Sequence, residues 1–305
     1  LIGGKFVTEK IDEIVEIIAK RVTEKLQQMG VTPNLPINND CTSCSTACVH
    51  CGQCVVKNIS AVDNIVKNGA TRIGANPGIS KSIDSKLAGM IDHTLLKPDA
   101  TQDELKKVCD EAKQYHFATV CVNSSNIPFV ARQLKGSSVK PIAVVGFPLG
   151  AATPQAKAFE AKEAIKAGAE EIDMVINIGA LKSKNYKMVY EDILCVVNAS
   201  RPHKVKVIIE TSSLDHDEKV AACVLAKTAG AAFVKTSTGF ASGGATVEDI
   251  ELMRCIVGDD MEVKASGGVR SKEDAEAMIK AGANRIGASA SVAIVTGAKS
   301  KSGKY

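Results

Sequence analysis

The sequence lacks an excess of charge of either sign: 38 Lys and Arg stand against 34 Asp and Glu, a formal net charge of +4. That balance gives no electrostatic case for a nucleic-acid partner. Also missing is any apolar run of about 18 residues, the length that a helix needs to cross a bilayer. No membrane partner is expected. The first residues lack the apolar core and small-residue cleavage site of a secretory leader. A soluble cytoplasmic protein is the expectation from these absences.

What is present is unevenly distributed. Residues 9–29 place Ile11, Ile14, Val15, Ile18, Val22, Leu26 and Met29 at three- and four-residue steps with charges between them, the pattern of an amphipathic helix. Gly30, Pro33 and Pro36 end it, and PNLPINND reads as a linker, so residues 1–40 form one segment. Of the 10 cysteines, Cys41, Cys44, Cys48, Cys51 and Cys54 crowd into the next segment, 41–85. The others, Cys109, Cys121, Cys195, Cys223 and Cys255, lie among apolar neighbours and read as reduced core residues.

Residues 86–305 carry a different pattern. Eight short apolar runs (GMIDHT, ATVCVN, PIAVVGF, EIDMVIN, KVKVIIE, AFVKTS, MEVKAS and NRIGAS) alternate with helix-forming stretches such as TQDELKKVCDEAKQ and SKEDAEAMIKA. Eight strand-then-helix units in one domain-sized stretch predict a (β/α)8 barrel, with an open doubly wound sheet as the alternative. A weak repeat supports equal units: KAGAEEIDM, KTAGAAFVK and KAGANRIGA share a helix end, a glycine able to cap it, and a strand. Counting five residues from Gly168, Gly230 and Gly282 lands on Asp173, Lys235 and Gly287, which should lie at similar heights in a barrel. A further copy, KNGATRIGA, sits at 67–75, before the first strand.

Charged residues inside apolar strands mark the chemistry, because an unpaired buried charge is costly and shifts its own pKa. Lys235 in AAFVKTSTG and Lys264 in MEVKASGG lie on consecutive strands, six and seven. Two neighbouring ammonium groups repel, so one sheds its proton and becomes the amine that Schiff-base chemistry requires. The bland alternative is that both lysines point outward between helices. Asp173 in EEIDMVIN and Asp92 in GMIDHTLLK are the matching acids, read as proton relay and as substrate contact or structural partner. His93 faces the opposite side from Asp92 and reads as a packed histidine. SGGVRS and IGASAS supply backbone N–H groups for phosphate at Gly267, Gly268, Gly287 and Ser289. Arg270 is either a charge partner there or a surface salt-bridge residue.

The segments DHTLLKPDAT, CVNS, VVGFPLG, EIDMVINIGAL, FVKTSTGF, VKASGGVR and NRIGAS together resemble the deoxyribose-phosphate aldolases over about residues 86–305. The resemblance implies reversible cleavage of 2-deoxy-D-ribose 5-phosphate into acetaldehyde and D-glyceraldehyde 3-phosphate, with no cofactor in catalysis. It implies Lys235 as the Schiff-base lysine, Lys264 as the lysine that lowers its pKa, Asp173 as proton relay and Asp92 as part of that network. Cys121 matches a pocket cysteine that the chemistry does not need, and Thr238 and Gly239 a loop bordering the substrate. The terminal Tyr305 matches, by position, a tyrosine that moves the enamine proton. Phe240 stands where some relatives carry a lysine, so phosphate binding is expected to lean on backbone amides.

The cysteine spacing has three readings: a zinc or iron–sulfur site on four thiolates with the fifth or His50 in reserve, a redox-sensitive disulfide patch, or no bound species. The leading helix reads as an oligomer contact, a cap on the barrel, or a docking element. It resembles the encapsulation peptides of enzymes packed into bacterial microcompartments, which would make shell proteins a partner. A homo-oligomer is expected. The competing functions are another Schiff-base barrel aldolase or transaldolase-like enzyme, and a noncatalytic scaffold or redox sensor built on the Cys-rich head.

Overall fold

The computed structural model describes residues 85–298. The amphipathic segment 9–29, the cysteine run 41–54, the copy at 67–75 and Tyr305 lie outside the described residues.

Eight strands form the frame: β1 Ile91–Leu95, β2 Thr119–Asn123, β3 Lys140–Val145, β4 Glu171–Val175, β5 Lys204–Ile208, β6 Phe233–Lys235, β7 Glu262–Ser266 and β8 Arg285–Ala288. Each pairs in parallel with the next, and β8 returns to β1 through Ile91↔Ile286 and Asp92↔Gly287. The closed barrel expected from the alternating pattern is therefore present, and the open sheet is excluded.

A principal helix follows each strand: α1 Gln102–Tyr115, α2 Ile127–Leu134, α3 Pro154–Lys166, α4 Tyr186–Ser200, α5 His216–Thr228, α6 Val247–Val257, α7 Lys272–Lys280 and α8 Ser291–Thr296. Local chemistry explains where they start. Thr101 with Glu104, Asp215 with Glu218, and Ser271 with Asp274 form reciprocal capping boxes, each satisfying two N–H groups that a helix start leaves open. The repeat glycines end the preceding units: Gly168, Gly230 and Gly282 hold φ of 113°, 80° and 117°. Those backbone angles suit a residue without Cβ and turn the chain into the next strand.

The core lies in two shells. Strand residues such as Val120, Val122, Ala143, Val145, Ile172 and Val263 are buried; their alternates point into the barrel. Three of the five scattered cysteines, Cys109, Cys121 and Cys223, are buried as expected. Cys195 and Cys255 are not: one is half-buried and the other exposed, because both sit on outer helices with a solvent face.

Candidate active site

The barrel interior is charged. Asp173 Oδ2 accepts hydrogen bonds from Lys235 Nζ at 2.8 Å and Lys264 Nζ at 2.7 Å. Since β4, β6 and β7 are not all neighbours, these bonds cross the barrel. The lysines point inward, and the snorkelling alternative fails. Asp173 Oδ1 accepts from Lys206 Nζ at 3.0 Å. Lys206 also lies 2.5 Å from Glu171 Oε2, and Lys264 2.5 Å from Asp92 Oδ2. Both contacts are ion pairs by distance without hydrogen-bond alignment. Arg285 completes the circuit, 2.7 Å from Asp92 Oδ1 and 3.6 Å from Glu171 Oε1.

Traced in order, Asp173, Lys206, Glu171, Arg285, Asp92 and Lys264 form a closed ring of alternating charge. Three carboxylates balance three cations. Lys235 hangs from Asp173 as the surplus cation. Below the ring, Phe233 offers its ring face to Lys206 at 5.4 Å and Arg285 at 5.5 Å, a favourable floor for cations. Thr119 Oγ1 donates to Asp92 Oδ1 at 2.7 Å.

The ring explains the protonation pattern. Burial pushes the Lys235 amine below its ordinary pKa; Asp173 opposes this and the Lys264 charge adds to it. Repulsion between the two lysines, the cause inferred from sequence, is real but subordinate to desolvation. Burial alone would lower Lys264 too, yet the Asp173 and Asp92 carboxylates more than reverse it and raise its pKa. Burial works against ionising Asp173, and Lys206, Lys235 and Lys264 outweigh it, holding the carboxyl well below the usual range. Asp92 moves the same way under Lys264 and Arg285, again against burial. The arrangement thus holds one lysine poised to be neutral beside one fixed as a cation.

Cys121 packs with Leu96, Ile142, Val144 and Phe147. Burial raises its thiol to about 11, so it is a neutral wall residue rather than a nucleophile. His93 turns outward, with Nε2 2.8 Å from Glu111 Oε2 and Nδ1 3.0 Å from Ser291 Oγ. It ties β1 to α1 and α8, as a packed histidine does.

A cavity of about 660 Å³ opens at the carboxyl ends of the strands. Its walls include Gly239, Gly267, Gly268, Arg270, Gly287 and Ser289, so the glycine loops picked from sequence do converge. Gly287 joins cavity to charge ring: a Cβ there would lie 2.2 Å from Ser266 Oγ and 2.9 Å from Lys264 Cε. The third position counted from the repeat therefore falls beside the other two. Arg270 is exposed and lowers the pKa of Asp274, though less than the backbone hydrogen bond that Arg270 N–H donates to it. It stands on the cavity wall beside Gly268. The loop of Thr238 and Gly239 borders the cavity through its glycine. The Thr238 side chain is buried and its hydroxyl donates to Glu210 Oε2 at 2.5 Å, so Gly239, not Thr238, faces the cavity.

Sequence reasoning missed four ring or loop residues: Lys206, Glu171, Arg285 and Glu210. The rule that exposed Lys235 would have found two of them. Lys206 in KVKVIIE is a lysine within an apolar strand, and Glu171 stands two residues before Asp173 on the same strand face. Arg285 and Glu210 sit at strand ends, where charge is ordinary and carries no signal.

A (β/α)8 barrel with a desolvated amine and its carboxylate beneath a glycine-lined mouth defines the class of lyases that handle carbonyl substrates through lysine. Within that class, residues 86–300 match the DeoC/LacD family aldolase model, and the chain belongs to that family. It is 61% identical over 216 residues to the deoxyribose-phosphate aldolase of Clostridium novyi (strain NT), covering 70% of this chain and 97% of that one. With the deoxyribose-phosphate aldolase of Streptococcus gordonii it shares 61% over 220 residues, 72% of this chain and 100% of the relative. The tetrameric deoxyribose phosphate aldolase from Aeropyrum pernix superposes with a TM-score of 0.66 at 31% identity, covering 77% of this chain and 96% of that one.

Proposed function

We propose that the chain catalyses reversible aldol cleavage of 2-deoxy-D-ribose 5-phosphate to acetaldehyde and D-glyceraldehyde 3-phosphate through a Schiff base on Lys235. One observation carries the assignment of roles: Lys235 is the surplus cation of an otherwise balanced ring, bonded to Asp173 at 2.8 Å. Its neutral amine adds to the substrate aldehyde carbon. Asp173 takes the proton that the adding nitrogen sheds and passes it to the carbinolamine hydroxyl, which leaves as water. The Asp173 carboxylate, ionised again, takes the C3 hydroxyl proton as the C2–C3 bond breaks; the electron pair moves into the enamine and D-glyceraldehyde 3-phosphate leaves. Protonation at C2 and hydrolysis release acetaldehyde. Lys264 holds its positive charge throughout, which keeps Asp173 ionised between proton transfers. The N–H groups around Gly239, Gly267, Gly268, Gly287 and Ser289 receive the phosphate, with Arg270 at the rim.

Borohydride added with 2-deoxyribose 5-phosphate should leave a reduced adduct that peptide mapping places on Lys235. No adduct, or adducts on surface lysines alone, ends the reading.

Three finer assignments rest on sequence. Tyr305 protonates the enamine, and Tyr305→Phe should lower turnover while leaving trapping at Lys235 intact. Residues 9–29 are a docking helix, with microcompartment shell proteins as the partner; deletion of 1–30 should abolish co-sedimentation with them. Four thiolates among Cys41, Cys44, Cys48, Cys51 and Cys54 hold zinc or an iron–sulfur cluster, with the fifth or His50 in reserve, a question that metal analysis of purified protein answers. Assembly is as a homo-oligomer, supported by the tetrameric relative.

A further inference from the structure

Behind the cavity wall stands a buried carboxylate that the chemistry above does not use. Glu210 follows β5 with only 3% of its surface exposed. Its backbone is left-handed, φ 57° and ψ 65°, a conformation that strains any residue with a Cβ. Burial of a polar carboxyl group adds a second penalty. A glycine would relieve both.

What a glycine could not do is hold the next loop. Glu210 Oε2 accepts from the Thr238 N–H at 3.1 Å and from the Thr238 hydroxyl at 2.5 Å. Thr238 Oγ1 in turn accepts from the Phe240 N–H at 3.1 Å. One carboxylate thereby fixes both groups of Thr238, and Thr238 fixes the residue two further on. Gly239, at φ 88°, is the residue suspended between these two anchors, and it lines the cavity. It also packs against the neighbouring phosphate loop: its Cα lies 3.8 Å from where a Gly267 Cβ would be. Glu210 itself is not among the residues that line the cavity.

We propose that Glu210 is a positioning residue for phosphate recognition. It aims the Thr238–Phe240 loop so that the Gly239 backbone meets the substrate phosphate beside Gly267. It touches neither substrate nor Lys235. The inference rests on the aldolase reading for the identity of the phosphate ester, and it adds a residue from the turn after β5 to a phosphate site otherwise built on the loops after β6 to β8.

The test compares wild type with Glu210→Ala and Glu210→Gln, using 2-deoxyribose 5-phosphate and unphosphorylated 2-deoxyribose. Glu210→Ala should raise KM for the phosphorylated sugar at least tenfold, change kcat less than threefold, and leave KM for 2-deoxyribose within twofold. Glu210→Gln keeps an acceptor oxygen and should return most of that KM. Equal losses with both sugars, or a fall in kcat alone, overturn the proposal in favour of a purely structural role. If Glu210→Ala does not fold, Glu210→Asp, which withdraws the carboxylate by one methylene, carries the same comparison. Calorimetric binding of inorganic phosphate supplies a readout independent of catalysis. It should weaken tenfold in Glu210→Ala, and unchanged binding overturns the proposal. A wild type that traps no adduct on Lys235 refutes the aldolase reading instead, and the phosphate titration still decides for Glu210.

Discussion

Lys235 and Lys264 are register partners on β6 and β7, and their ammonium nitrogens meet at one oxygen, Asp173 Oδ2, at 2.8 and 2.7 Å. The pair divides its labour because the surroundings differ. Lys264 has a second carboxylate in Asp92 at 2.5 Å, whereas Lys235 has Asp173 alone. One stays charged and the other gives up its proton first.

That division sets a pH dependence. Attack needs the neutral amine, so activity is present above the pKa of Lys235 and lost as pH falls through it. Burial, joined by Lys264, lowers that pKa, which carries activity to lower pH than an ordinary lysine permits. Lys264→Met removes the neighbouring charge and frees Asp173 Oδ2 for Lys235 alone, and it should shift the acid limb of kcat/KM to higher pH. The rate of borohydride trapping, followed against pH, should show the same displacement.

Stability should respond in opposite directions to two substitutions in the same hydrogen bond. The folded chain binds Lys235's proton less readily than the unfolded chain, so that group detracts from stability below about pH 10.4 and less so as pH rises. Lys235→Met removes the surplus cation and should leave Tm equal or higher while abolishing turnover. Asp173 has a depressed pKa; its contribution is full above about pH 3.9 and lost as pH falls through the folded value. Asp173→Asn leaves four cations facing two carboxylates and should cost about 3–5 kcal/mol at pH 7. Urea unfolding of both variants decides it, and a Lys235→Met less stable than Asp173→Asn contradicts the ring.

Gly287→Ala tests the coupling of mouth to ring by crowding. The added methyl meets Ser266 Oγ and Lys264 Cε, at 2.2 and 2.9 Å if nothing moves. Lys264 must shift, and kcat/KM should fall at least tenfold, a loss of about 1.4 kcal/mol in transition-state stabilisation. An unaffected enzyme shows that Lys264 tolerates displacement.

A second buried pair offers a control away from the site. Lys157 on α3 and Asp192 on α4 are fully buried and 2.6 Å apart, and Lys157 also donates to the Val175 carbonyl at 2.8 Å. Either Lys157→Met or Asp192→Leu strands one charge and should cost about 3–5 kcal/mol, while the double variant should regain most of it. Additive losses in the double-mutant cycle refute that account.

Much of the fold was legible because a parallel barrel repeats one local instruction. Gly168, Gly230 and Gly282 each end a helix and start a strand, and the count of five from them finds Asp173, Lys235 and Gly287 on one level of the barrel. Lys235 and Lys264 stood out for a related reason: charge amid apolar residues needs a partner. The ring itself was not legible. It joins residues on five strands, and no local pattern tells that Glu171 and Arg285 meet. The priority of desolvation over repulsion at Lys235 depends on how deeply the amine is enclosed, which sequence does not carry. That the Thr238 hydroxyl is held by Glu210 was not legible either, because Glu210 comes from the turn after β5, 28 residues earlier in the chain.

The ring also imposes an order on the making of the molecule. Asp92, near the start of the barrel, is held by Lys264 and by Arg285, 193 residues further along. As the chain leaves the ribosome from its amino end, Asp92, Glu171 and Asp173 emerge before the last two cations that neutralise them. A barrel of six strands already contains Lys235 and Asp173, but it lacks Lys264, the cation that shares Asp173 with it, and the last two strands of the wall that desolvates the amine.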